Sequence, residues 1–293
     1  MSAPTPLRIL LATDGSEDAR RAVQWLTTLP VPAGTTVRVV SVVTLPPSPI
    51  DIPAVRDYHR HLHDAARTVT EDAARALADR RPVETTVAEG EPRERILAAA
   101  QDWDADLVVV GAKGLGAVKR FLLGSVSTTV VHGAHCPVAV VRGEPRAPAR
   151  VLLACDGSAD AMAAVRFVGR LPLAPTASVR LLGVVPPMPA IPFASEIAGT
   201  PWPPAPEIIA EATAEMTQSL LGAEAALGRP VAERTVRVGD PGSEILDAAR
   251  TADLIVLGAR GLGPLGRLVI GSVSERVLQH ADCPVLIVKA KGS

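Results

Sequence analysis

Short apolar runs alternate with amphipathic stretches along the chain. Leu7–Thr13 is apolar, broken only by Arg8, and stops at Asp14-Gly15-Ser16, as a short buried strand does. Ser16 is placed to cap the helix that follows, where Ala19, Ala22, Val23 and Leu26 fall on one face. Val37–Val43 is continuous and β-branched, as a parallel strand buried on both faces requires. The pattern then predicts a helix over His59–Arg80 and a short strand over Thr85–Ala88. A helix over Glu91–Trp103 follows, with Ile96, Leu97 and Ala100 on one side, and then a buried strand at Leu107–Val110. Ser125–Gly133 reads as a helix and Pro137–Val141 as the last strand. Five strands joined by helical crossovers, which are right-handed, predict an α/β fold: a doubly wound, Rossmann-like parallel sheet with helices on both faces.

The second half repeats the first. Arg8–Val43 aligns with Arg150–Val185 without a gap, at an offset of 142 and with 17 of 36 positions identical. Asp106–Val141 returns as Asp253–Val288 at an offset of 147. A period this long is a whole domain rather than a solenoid unit. Two tandem domains are therefore expected, 1–145 and 146–293, with the Pro/Gly-rich seam Gly143–Ala149 between them. The last strand of each repeat is Val-rich, and a bare edge invites pairing. The repeats are expected to pair with each other there, and chains to pair again. Two Pro-rich stretches, Thr44–Pro53 and Pro186–Pro206, follow the second strand of each repeat as connectors, lids or contacts.

Composition narrows the function. The 293 residues carry 30 Lys+Arg against 31 Asp+Glu, and neither half is basic, so charge gives no support for nucleic acid or a membrane surface as partner. Aromatic residues are 2%, too few for base-stacking platforms. Three cysteines without CxxC spacing make no disulfide framework, and neither a signal peptide nor a membrane-length apolar run is evident. A cytoplasmic protein is expected.

The chemistry concentrates after the fourth strand. Gly111-Ala112-Lys113-Gly114 is followed after nine residues by Gly124-Ser125-Val126-Ser127. The second repeat has Gly258-Ala259-Arg260-Gly261, nine residues, then Gly271-Ser272-Val273-Ser274. Glycines permit positive φ and let backbone N–H groups approach a ligand. A helix start offers unpaired donors and partial positive charge to a phosphate, with Ser125 and Ser127 adding hydroxyls and Lys113 or Arg260 a cation. Ligands of open α/β sheets bind beyond the carboxyl ends of the strands, where strand order reverses. If strands one and four are central neighbours, that crevice sets Asp14 opposite Gly111–Ser127: a carboxylate for sugar hydroxyls faces donors for phosphates, and backbone near Val42 is open to a base. A nucleotide satisfies all three.

This constellation resembles the universal stress protein family, in its ATP-binding branch. Both copies fit the family's G-x2-G-x9-G-[ST] pattern, with Asp14 and Asp156 ending the first strands and Cys136-Pro137-Val138 and Cys283-Pro284-Val285 opening the last. The resemblance implies strand order 3-2-1-4-5 in each domain and one ATP, with or without Mg2+, per domain. Asp14 and Asp156 would meet the ribose, and Val42 and Val184 the adenine. Gly111, Gly114, Gly124–Ser127, Gly258, Gly261 and Gly271–Ser274 would meet the phosphates. It further implies a homodimer with a regulatory stress-response role, its downstream partner unnamed; the residues themselves show no GxSxG elbow or paired acids at a metal-like spacing, so no dedicated catalytic residue is expected. The repeats differ in that Thr128-Thr129 becomes Glu275-Arg276, and Lys119 becomes Gly266 while Arg120 and Arg267 align. A carboxylate near phosphates predicts a weaker or differently tuned second site.

Other motifs weigh less. Gly261–Gly266 is a literal GxGxxG but follows a fourth strand, not a first, and Walker A is absent. His59, His61 and His63 read as a polar helix face, and His132, His135 and Cys136 have no histidine counterparts in the second repeat. Slow ATP hydrolysis stays open. An adenylylating enzyme of the same superfamily is disfavoured because Asp14-Gly15-Ser16-Glu17 lacks a Gly-rich phosphate loop. A scaffold that binds no nucleotide is disfavoured by the intact Gly/Ser sets.

Overall fold

The computed structural model describes residues 5–45, 52–115, 123–187, 205–261 and 270–290. The first repeat runs β1 (Arg8–Ala12), α1 (Glu17–Thr28), β2 (Thr36–Val43), α2 (Pro53–Ala78), β3 (Val83–Glu89), α3 (Pro92–Asp102), β4 (Leu107–Gly111), α4 (Ser125–Gly133) and β5 (Val138–Val141). The second runs β6 (Arg150–Ala154), α5 (Ala159–Arg170), β7 (Ser178–Val185), α6 (Ala205–Leu227), β8 (Glu233–Val238), α7 (Pro241–Ala248) with a 3-10 turn (Ala249–Thr251), β9 (Leu254–Gly258), α8 (Ser272–His280) and β10 (Val285–Val288). Helix α2 starts six residues before the expected His59, because Pro53 sits at its first turn, where a missing N–H costs nothing. Ser16 does cap α1, its Oγ accepting the Ala19 N–H at 3.3 Å.

The strands form one ten-stranded sheet in the order β3-β2-β1-β4-β5-β10-β9-β6-β7-β8. Each repeat contributes five parallel strands in the expected 3-2-1-4-5 order. The halves join through one antiparallel pair, with Val285 opposite Val140 and Ile287 opposite Val138. The Val-rich last strands thus cover each other within a single chain, and the sheet edges left are β3 and β8. Both carry exposed polar residues, Glu84 and Thr85 on one, Glu233 and Arg234 on the other, which suits an outer edge.

Strand alternation builds a core on each face. Ile9, Leu11, Val151 and Leu153 point to the layer covered by α1, α2, α5 and α6, while Leu10, Val108, Leu152 and Ile255 point to the other. Each layer draws on both repeats, so the core continues across the seam. The seam also carries reciprocal caps. Arg142, just after β5, donates to the Gln279 and Ala281 carbonyls at the end of α8, both at 3.0 Å. Lys289, its counterpart after β10, donates to the His132 and Ala134 carbonyls at the end of α4, both at 2.8 Å. Each cation meets the negative end of the other repeat's helix. Burial lowers the pKa of both groups. Among the described residues no helix is long and apolar enough to cross a membrane.

Candidate functional site

Two equivalent crevices open at the carboxyl ends of the strands, where chain order reverses between β1 and β4 and between β6 and β9. Asp14 leaves β1 in a tight turn that Gly15 completes at φ 75°; Asp156 and Gly157, at φ 82°, repeat it. Asp14 Oδ1 accepts the Ser16 N–H and Oδ2 accepts the Leu115 N–H, both at 3.0 Å. Asp156 Oδ1 accepts the Ser158 N–H at 3.0 Å. The first-strand carboxylate therefore holds its own turn, and Asp14 also ties the start of the loop after β4 to it. A carboxylate has about four acceptor positions, so these bonds leave the Asp14 carboxylate with acceptor capacity. Ser16 and Ser158 reinforce the tie, their hydroxyls donating to the Lys113 and Arg260 carbonyls at 3.1 Å.

The glycines after the fourth strands, Gly111, Gly114, Gly124, Gly258, Gly261 and Gly271, act by closeness, not by positive φ, which the site uses at Gly15 and Gly157. A Cβ on Gly111 would stand 2.6 Å from the Asp18 carbonyl carbon, and one on Gly258 2.6 Å from the Ala161 nitrogen. These two glycines let the first helix of each repeat press on the end of the fourth strand. A Cβ on Gly114 would meet Asp14 Oδ2 at 2.6 Å, and one on Gly261 would meet Asp156 Oδ2 at 2.5 Å. Gly124 and Gly271 start α4 and α8, and each donates its own N–H to the loop, at the Ala112 and Ala259 carbonyls, 2.8 Å. Neither helix has a side chain capping its first N–H groups, so those donors point out of a glycine-smooth start. The seryl hydroxyls divide. Ser127 and Ser274 are buried and donate to the Gly111 and Gly258 carbonyls at 2.7 and 2.8 Å, locking helix to strand end. Ser125 and Ser272 are exposed at the first helical position.

On the other flank of β1, the β2 ladder decides what Val42 offers. Val40 accepts the Thr13 N–H toward β1, and Val43 accepts the Gly90 N–H toward β3. By alternation the Val42 amide and carbonyl face β1's side, past Ala12–Val40, the last paired residues. Val184 repeats the arrangement beyond Ala154–Leu182. The first crevice, lined by Asp14, Val42, Ile96, Gly111, Val126 and Ser127 among others, encloses about 120 Å³. That is smaller than the ~300–1,000 Å³ of sites that engulf drug-sized ligands.

The expected cations differ from the plain sequence picture. Arg260 points into its own repeat: its backbone N–H and Nε both donate to Asp160 Oδ2, at 3.1 and 3.2 Å. Arg276 is held by Asp240 at 2.7 Å and by Ser243 Oγ at 3.0 Å, joining α8 to α7. Lys119, Arg120, Gly266 and Arg267 lie outside the described residues, as does the GxGxxG run beyond Gly261. So do residues 46–51 and 188–204 of the Pro-rich stretches. His63 Nε2 lies 2.9 Å from Glu89 on β3. Among the described residues no three His, Cys, Asp or Glu gather at metal-binding distance.

Cys136 and Cys155 are core residues, and Cys283 is partly buried against the core. Burial, the leading cause, pushes the Cys136 and Cys283 thiols up to about 12 from an ordinary 9.0. The native fold thus favours the neutral thiol, a contribution present below pH ~9 and lost as pH rises toward 12. Unfolding free energy is expected to fall over that interval, more steeply in the wild type than in a Cys136→Ala/Cys283→Ala variant. Equal slopes in urea titrations of the two proteins would remove the thiols from the explanation. Sequence reading missed the Asp160–Arg260 pair and the caps at Arg142 and Lys289. The caps did leave a signal: a cation at the same place, just beyond the last strand, in both repeats.

A family model described as the universal stress protein family matches residues 7–142 and again 149–289. A universal stress protein of Mycolicibacterium smegmatis is 28% identical over 99% of this chain and 100% of its own length. One of Mycobacterium tuberculosis strain H37Rv is 29% identical over 98% of each. The crystal structure of a universal stress protein from Archaeoglobus fulgidus superposes with a TM-score of 0.67 at 24% identity, over 97% of this chain and 96% of that one.

Proposed function

The chain belongs to the universal stress protein family, and from that premise we propose that it binds ATP, one molecule in each of the units 1–145 and 146–293. The reading is supported above all by one repeated juxtaposition: uncapped helix N-termini at Gly124 and Gly271, set across a crevice from the carboxylates of Asp14 and Asp156. The N–H groups of Ser125, Val126 and Ser127, and of Ser272, Val273 and Ser274, take the phosphates, where the helix dipole favours negative charge. The Ser125 and Ser272 hydroxyls add donors. Ser127 and Ser274, with Gly111, Gly114, Gly258 and Gly261, keep the helix start and the strand end close enough to make the cradle. Asp14 and Asp156 accept from the ribose hydroxyls, and the Val42 and Val184 main chain pairs with the adenine edge. Mg2+ enters on the nucleotide, held chiefly by phosphate oxygens and water.

We assign no catalytic residue. The protein acts in the stress response as a cytoplasmic, homodimeric regulator whose occupancy biases a partner surface, and it does so only through different nucleotide affinities in two states. The test is the nucleotide content of freshly purified protein, released by denaturation and counted. Close to two adenine nucleotides per chain is the expected result when added ATP is included. None, with no uptake of added ATP, overturns the reading.

A further inference from the structure

The two crevices differ in the size of their apolar end. Val40 of β2 and Val110 of β4 line the first, with Val42, Ile96 and Val126 around them. Val40 stands beside Ala12 of β1, and Val110 immediately precedes Gly111. At the repeat offsets of 142 and 147 their counterparts are Leu182 and Leu257. Leu182 stands beside Ala154 in the same register, and Leu257 immediately precedes Gly258. Both leucines are buried in the layer that holds Ile245, as Val40 and Val110 are in the layer that holds Ile96. The other apolar lining residues recur unchanged, among them Val42, Ile96 and Val126 as Val184, Ile245 and Val273.

The second crevice therefore gains two methylenes and loses no apolar group in exchange. The layer beneath is close-packed, so the added carbons take their room from the open side, which is the crevice. Each methylene fills about the space of one water, ~30 Å³, in a crevice whose first copy encloses about 120 Å³. The main chain of β2 runs past this end identically in both repeats. What differs is room, not hydrogen bonding.

Resting on the nucleotide reading above, we infer that the second crevice is a smaller-base site: relative to a cytosine nucleotide, it binds ATP about tenfold less tightly than the first crevice does. Leu182 and Leu257 set this preference. Cytosine carries its amino group beside a ring nitrogen, as adenine carries N6 beside N1, so either base can meet the same main chain. Cytosine has one ring and adenine two, so adenine alone needs the space that the leucines occupy. A single methylene in an apolar pocket is worth about ten- to two-hundredfold in discrimination, and the lower figure is taken for two that a bound base can partly avoid.

Calorimetric titration of the full chain with ATP and with CTP tests this. In wild type the two ATP affinities are expected to lie about tenfold further apart than the two CTP affinities. Leu182→Val/Leu257→Val, which opens the second crevice, is expected to strengthen the weaker ATP affinity about tenfold, closing that difference, and to leave CTP unmoved. Val40→Leu/Val110→Leu, which fills the first, is expected to weaken the tighter ATP affinity by a similar factor. Far-UV circular dichroism checks that each variant is folded; if the filled variant does not fold, the opened one decides alone. ATP affinities spaced no wider than the CTP affinities in wild type, or an ATP spacing unmoved in folded Leu182→Val/Leu257→Val, overturn the inference while the nucleotide reading stands. Failure of wild type to bind either nucleotide overturns both.

Discussion

Asp14→Ala weakens ATP binding at the first site by about ten- to hundredfold, the worth of one or two hydrogen bonds to a charged acceptor, ~1.5–3 kcal/mol. The carboxylate acts twice. On the proposed reading it receives the ribose, and it holds Ser16 and Leu115 by their N–H groups at 3.0 Å, which ties the start of the loop after β4 to the β1 turn. Alanine removes both. Asp14→Asn separates them: its carbonyl can keep the Ser16 turn, but its NH2 turns a donor toward the Leu115 N–H. Asparagine is therefore expected to bind ATP nearly as poorly as alanine while preserving the turn. Asp156→Ala has the corresponding effect at the second site. Calorimetry on each variant gives the affinity, and far-UV circular dichroism confirms the fold. Unchanged ATP affinity in a folded Asp14→Ala protein would leave Asp14 with its loop tie alone and take the ribose from it.

Trp25→Ala is expected to lower the unfolding free energy by about 3–5 kcal/mol, as truncation of a fully buried aromatic does. Trp25 is 1% exposed on the inner face of α1, packed among residues from β1, β2 and β4. The second repeat supplies the control, because the counterpart of Trp25 is Phe167, also buried. Trp25 Nε1 is buried with no hydrogen-bond partner, so exchanging indole for phenyl gives up volume but no bond. Trp25→Phe is expected to cost about 1–2 kcal/mol, less than the alanine loss. Urea titration followed by circular dichroism measures both. A loss under 1 kcal/mol for alanine would mean that the α1 layer closes over the cavity.

Much of the fold was legible because it depends on neighbours in sequence. Leu7–Thr13 and Val37–Val43 announce buried strands by their runs, and Ser16 announces a helix start, since a cap reaches only three residues along the chain. The duplication was legible because two copies of one fold preserve the same spacings. The length of α2 was not. Its first turns, from Pro53, lack the apolar spacing that marks His59 onward, and exposure of that end removes the constraint that writes such a pattern.

The crevice residues were named correctly as neighbours but not in every role. The spacing of Gly111, Gly114 and Gly124 showed that something must come close. Only the packed chain shows that α1 approaches Gly111 and that Asp14 approaches Gly114, since both partners lie some hundred residues away. Ser127 and Ser125 look alike in the motif. One is turned in toward β4 and the other out to solvent because they stand two positions apart on a helix whose period is 3.6.

The chain by itself therefore determined the α/β class and the tandem repeat, which follow from local periodicity, repeated spacing and the handedness of crossovers, while the strand order within each repeat came from the resemblance its motifs carry. Tertiary structure decided the rest. It set the expected pairing of β5 with β10 in antiparallel register, exchanged Arg142 and Lys289 as caps between repeats, and gave Arg260 to Asp160. A charged or edge group takes the partner that is nearest and least hydrated once the chain has folded, and no spacing along the sequence specifies which partner that will be.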